Sequence, residues 1–196
     1  MFISRIDPDT ADSDLGTWYA SQQAMWGFLP DYAGAFSHRP DVAQAWAALN
    51  HAIRGRMDRR RFEIATIAAA RARHSTVCTV AHSKFLRDVA GDEATLAAIC
   101  EQPDGSGLGD QDRNVYEFAT KVATDAASIE QADVDRLRAV GLSDAEITDV
   151  ALAVGARCFF TAVLDALGAQ ADPQTAAAFP VEQLESMLVG RPVAGT

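Results

Sequence analysis

Apolar residues return every three or four positions along most of the chain, with no stretch alternating at every second residue. This periodicity predicts helices and no strands. The first helix covers residues 16–27, with Trp18, Tyr19, Met25 and Trp26 at helical spacing, and Gly27 and Pro30 break it. Pro40 and Asp41 open another, with Val42, Ala45, Trp46, Leu49 and Ile53 on one stripe and His51 on a more polar side. Asp58 is placed to cap a helix through Phe62, Ile64, Ile67 and Ala68. Its five alanines between 65 and 72 allow close helix approach. Ser75 is placed to cap the next, over 75–90, which Gly91 ends. A short helix follows over 93–101, then the loop 103–112.

Helices are expected at 112–126 and 129–140, the second stopped by Gly141. Ser143 and Glu146 have the spacing of a capping box and open a long apolar helix over 144–167, which Gly168 ends. Residues 179–190 read as a terminal amphipathic helix, suited to packing on the body or on a neighbour. The fold class is all-α, a single-domain helical bundle. Residues 1–15 are a polar, Asp-rich arm expected to be loosely ordered, residues 16–175 form the helical domain, and residues 176–196 form a C-terminal helix and tail.

Composition narrows the function. The 196 residues carry a net charge of −10 and a pI of about 4.7. An acidic surface argues against a nucleic-acid partner. The basic run from Arg54 to Arg61 reads as a solvated or interfacial helix start. No apolar run approaches the ~18 residues of a membrane span, and no basic-plus-apolar leader opens the chain, so the expected location is cytoplasmic, with no membrane partner. Three widely spaced cysteines do not form a disulfide framework and fit a reducing compartment. Cys100 and Cys158, in apolar surroundings, read as structural thiols.

The chemistry concentrates in residues 63–82. Cys78 lies in the first turn of the helix opened by Ser75, and His82 is four residues on, on the same face. A helix N-terminus and an imidazole both favour thiolate, so a lowered Cys78 pKa is expected. If the preceding helix folds back as an antiparallel hairpin, Glu63 reaches His82 to orient it or relay its proton. Glu63, Cys78 and His82 do not have the intervals of a structural zinc site, and no fourth ligand is at hand. Neither metal nor cofactor is expected. The segment GSGLG has no preceding strand and no following lysine, so it is not a phosphate loop.

Glu63, eleven residues, Ser75, two residues, Cys78, three residues, His82: this pattern resembles the alkylhydroperoxidase D-like branch of the carboxymuconolactone decarboxylase superfamily. That branch has a cysteine where Ser75 stands. Residues 27–53 and 112–168 resemble the flanking parts of its peroxidase-related subgroup, so the likeness covers roughly 20–175. It implies a homo-oligomer, trimer or hexamer, with the site near a subunit boundary. It also implies a peroxiredoxin-like, antioxidant oxidoreductase that reduces a small hydroperoxide. Cys78 would be the nucleophile, His82 the acid and base, Glu63 its partner and Ser75 a hydrogen-bond donor. An outside thiol would be the reductant. Two other readings follow from the same residues: a decarboxylase-like lyase or isomerase using His82 and Glu63, and a non-catalytic oligomeric module. Thiol dependence separates the lyase from the peroxidase, and slow, unselective alkylation of Cys78 would favour the module.

Overall fold

The computed structural model describes residues 1–195. The helices are α1 (Ser13–Trp26), α2 (Asp31–Ala35), α3 (Pro40–Arg54) and α4 (Arg59–Ala72). They continue as α5 (Thr76–Asp88), α6 (Glu93–Glu101), α7 (Asp110–Asp125) and α8 (Gln131–Ala139). The long α9 (Asp144–Ala166), a single turn α10 (Pro173–Ala176) and α11 (Val181–Met187) complete the chain. Among the described residues there is no β-strand, only an isolated bridge between Ala171 and Val193.

Side-chain caps set several helix starts. Asp58 accepts from Arg61 N at 2.8 Å. Asp12 accepts from Leu15 N at 2.9 Å, so α1 begins three residues before the apolar pattern does. Ser143 and Glu146 form the expected capping box of α9. Ser75 occupies the N-cap position of α5 but makes no capping bond; its side chain turns inward and is fully buried. The turn between α4 and α5 closes by backbone geometry. His74 takes a left-handed conformation (φ 56°), and Ser75 N donates to Ala70 O at 2.9 Å.

Helix α4 is the central element. Every residue from Phe62 to Ala70 is buried, and the helix packs against α5, α7 and α9. Its alanines allow those approaches. Each large side chain sealed there, such as Ile64 or Ile67, contributes about 1.5–3 kcal/mol. The larger core lies between α4, α7 and α9. A second core joins Trp18, Phe36, Val77, Cys78, Phe160 and Leu164, where α1, α2 and α3 meet α5 and α9. Helix α9 meets the length and composition of a membrane span, which the sequence reading did not recognise. It is a core helix with half of its most apolar window buried in the bundle.

The first residues and the described residues after α11 lie against the body. The arm read as loosely ordered is held by Phe2 N to Leu167 O (2.8 Å), by Ile6 N to Ser37 Oγ (3.2 Å) and by Tyr19 OH to Ile6 O (2.8 Å). The C-terminal helix is shorter than its amphipathic pattern. It stops at Met187, and the chain then crosses the α4–α5 turn. There Gly190 N donates to Thr76 Oγ1 at 2.9 Å, and a Cβ on Gly190 would collide with His74 O.

Candidate active site

The α4–α5 hairpin is antiparallel and carries the motif inward. Glu63 and His82 face each other across it, with Glu63 Oε2 2.5 Å from His82 Nδ1. Glu63 is fully buried, and its second oxygen lies 2.6 Å from Arg59 Nε, one turn earlier on α4. With one Glu63 oxygen paired to Arg59, the other is the acceptor that faces the ring, so Nδ1 carries the imidazole proton and Nε2, which makes no hydrogen bond among the described residues, is left to act as the base. Burial, reinforced by the nearby Arg157 charge, pushes His82 down to about 4 despite Glu63. The imidazole is therefore neutral at neutral pH.

Cys78 stands at the start of α5 and is buried. Its polar contact is Arg157 of α9, whose Nη1 lies 3.5 Å from the sulfur; no hydrogen bond joins it to His82. The expectation of a lowered thiol pKa does not hold. Burial pushes the Cys78 thiol up, and the opposing pull of Arg157 does not overcome it. The local argument from helix N-terminus and imidazole omitted this desolvation.

Glu63, Cys78, His82 and Arg157 share the wall of a cavity of about 250 Å³. Six aromatic side chains line it as well: Trp18, Trp26, Tyr32, Trp46, Phe85 and Phe160. Trp46 stacks on Phe160 with centroids 3.9 Å apart, and Trp26 Nε1 donates to Tyr32 OH at 2.9 Å. Trp18, Trp26 and Trp46, which the sequence places on helix stripes, are thus walls of the cavity. Asn50, the exposed His51 and Arg54 also line it. Ser75 is not part of this wall. It sits behind Cys78, within reach of both the thiol and the Asp165 carboxylate, and its Oγ meets neither in full hydrogen-bond geometry.

Arg157 is the residue that sequence reasoning missed. Its signal was present: it is the single charge between Asp149 and Asp165 in an otherwise apolar stretch. Cys100 and Cys158 pack against the larger core, apart from the cluster that holds Cys78, and all three thiols are free. Among the described residues no group of three His, Cys, Asp or Glu side chains is arranged to hold a metal ion.

Comparison with known proteins agrees with the family resemblance and the fold. Residues 40–106 match the model of the carboxymuconolactone decarboxylase family. A search of curated proteins finds no match. The fold is that of alkylhydroperoxidase D-like proteins. The chain is similar to the alkylhydroperoxidase AhpD core of an uncharacterized peroxidase-related protein from Ralstonia eutropha JMP134 (TM-score 0.77, 20% identity, 97% of each chain). It is also similar to an uncharacterized peroxidase-related protein from Silicibacter sp. TM1040 (TM-score 0.76, 20% identity, 89% of this chain and 92% of that one). A third similar structure is the debrominase Bmp8 in its apo form (TM-score 0.76, 17% identity, 95% of this chain and 98% of that one). A cysteine-to-alanine variant of that debrominase has been solved in complex with 2,3,4-tribromopyrrole.

Proposed function

We propose that this chain is a thiol-dependent peroxidase that reduces an organic hydroperoxide at Cys78. The observation that carries the reading is the buried Glu63–His82 pair, 2.5 Å apart, on the same cavity as a cysteine held by a guanidinium. His82 Nε2 takes the thiol proton, and the thiolate attacks the distal peroxide oxygen. The O–O bond breaks, the sulfur becomes a sulfenic acid, and the departing alkoxide takes the proton back from His82. One outside thiol then displaces water to give a mixed disulfide. A second releases Cys78 and leaves as the oxidised disulfide. The sum is one hydroperoxide and two thiols to one alcohol, one water and one disulfide.

Ser75 cannot resolve the sulfenic acid, and Cys100 and Cys158 lie in another part of the core. The reductant is therefore an external small thiol, as a cytoplasmic location would supply. The chain works as a homo-oligomer. Helices α3 and α9 pack together and leave Leu49, Leu152 and Phe159 about half exposed, a surface suited to a second copy. Light scattering at micromolar concentration should give a mass well above 20.9 kDa.

The test of the chemistry is peroxide consumption with several thiol reductants, followed by mass measurement of the Cys78 peptide. Added oxygen or a mixed disulfide at Cys78, lost together with turnover in Cys78→Ala, supports the reading. Turnover that survives alkylation of Cys78 refutes it and favours acid–base chemistry by His82 and Glu63. A second reading has its own support in the aromatic cavity and the debrominase of the same fold. In it, the Cys78 thiolate takes the halogen from a halogenated ring, the ring carbon takes the proton that His82 received from the thiol, and an outside thiol then displaces halide from the sulfur to give a disulfide. Release of bromide from a bromoarene, without peroxide consumption, would select it.

A further inference from the structure

The cavity holds a cation that no carboxylate among the described residues pairs with. Arg157 is 3% exposed. Its Nε is buried without a partner, and Nη1 contacts the Cys78 sulfur. Its other neighbours are the faces of Trp46 and Phe160, with centroids 5.7 and 5.4 Å from Cζ. The cavity wall has one carboxylate, Glu63, and Arg59 and His82 already engage both of its oxygens. Arg54 and Arg59 add further positive charge to the wall. Taking a charge out of water without a counter-ion is costly, and two cation–π contacts offset that cost only in part. The protonated Cys78 thiol does not supply the missing charge.

The shape of the cavity narrows what could. A dry cavity of roughly 150 Å³ holds benzene. One of about 250 Å³ walled by flat rings accepts a substituted single ring, and leaves a small inorganic anion with little to contact. We propose that the cavity binds a single-ring aromatic anion, with its ring among the aromatic side chains and its negative group on Arg157. The assignment rests on the reading of this cavity as the substrate site, and gives that site a substrate class: aryl compounds carrying a carboxylate or similar acidic group. A substituent next to that group on the ring would then lie beside Cys78, because the same guanidinium contacts both the anion and the sulfur.

The test is binding to the reduced full-length protein with no peroxide present. All three tryptophans of the chain line the cavity, so their fluorescence reports occupancy directly. Benzoate should bind at least tenfold more tightly than benzamide, its neutral isostere, and than acetate, which lacks the ring. Arg157→Met, which keeps an apolar stem, should bring benzoate and benzamide to parity, and Arg157→Lys should retain part of the preference. Equal binding of benzoate and benzamide by the native protein overturns the anion assignment, whether or not the variant folds. Equal binding of acetate and benzoate overturns the aromatic one, and a preference that survives Arg157→Met removes Arg157 from it. A benzoate preference in a protein that consumes no hydroperoxide leaves the ligand class standing and refutes the peroxidase chemistry. Consumption of hydroperoxide without the preference refutes the ligand class alone.

Discussion

Replacing Glu63 by Gln tests whether the carboxylate sets the state of His82. The glutamate is fully buried and holds two charged or polar partners, Arg59 at 2.6 Å and His82 at 2.5 Å. Gln keeps the shape and one acceptor. Arg59 can only donate, so the amide oxygen turns to it and the amide NH₂ faces His82 Nδ1. Nδ1 must then accept, the imidazole proton moves to Nε2, and the base facing the cavity is lost. Hydrogen bonds to charged groups contribute ~1.5–3 kcal/mol each. Both survive only in the weaker form a neutral amide gives, and Arg59, 29% exposed, recovers some hydration. The expected loss of stability is therefore about 2–4 kcal/mol. For a chain of this size that is roughly 5–15 °C in Tm. Loss of the base should slow the reaction of Cys78 with peroxide by roughly 10²–10⁴. Urea unfolding and single-turnover kinetics, each at a temperature where circular dichroism shows the variant folded, measure the two effects separately. A Glu63→Gln protein that melts within a degree or two of the native one and reacts at the native rate refutes the dyad.

Specific contacts carry three further outcomes. Gly190→Ala places a methyl group against the His74 carbonyl and should cost about 1–3 kcal/mol, read as a lower urea midpoint with an unchanged slope; an unchanged midpoint would show that the tail is not bound to the turn. Burial holds the Cys78 thiol above its ordinary value of 9.0, so its alkylation rate should climb about tenfold per pH unit from 7 to 9, and a plateau below pH 8 would contradict the desolvation argument. Burial also pushes Asp172 up to about 6 from 3.8, so ionising it opposes folding: the penalty is absent below pH 3.8, grows as pH rises to 6 and is full above that. Asp172→Asn keeps an acceptor for Asp31 N and should stabilise the protein by about 1–2 kcal/mol at pH 8 and by nothing near pH 3.5, after allowance for the partial exposure of the group; destabilisation at pH 8 would refute this.

The features legible in the sequence are those whose cause is local. The Asp58 cap, the Ser143–Glu146 capping box and the left-handed glycines at 141 and 168 act within one turn of the residues that encode them, and all appear where the pattern places them. The Glu63–His82 contact was legible because a single hairpin links the two residues. Helices α2 and α10 were not, since five and four residues are too few to show a period. The N-terminal arm and the tail at Gly190 were hidden for a different reason. Their partners, Leu167 and His74, are more than a hundred residues away, and a polar composition says nothing about such contacts. Cys78 is subject to the same limit. Its local surroundings favour thiolate, but its ionisation is decided by how completely α1, α3 and α9 exclude water, a sum over distant elements. Arg157 belongs to the same sum. A lone arginine in an apolar helix reads as an exception until the fold puts it 3.5 Å from the cysteine, and only then does its missing counter-ion become a question about the ligand.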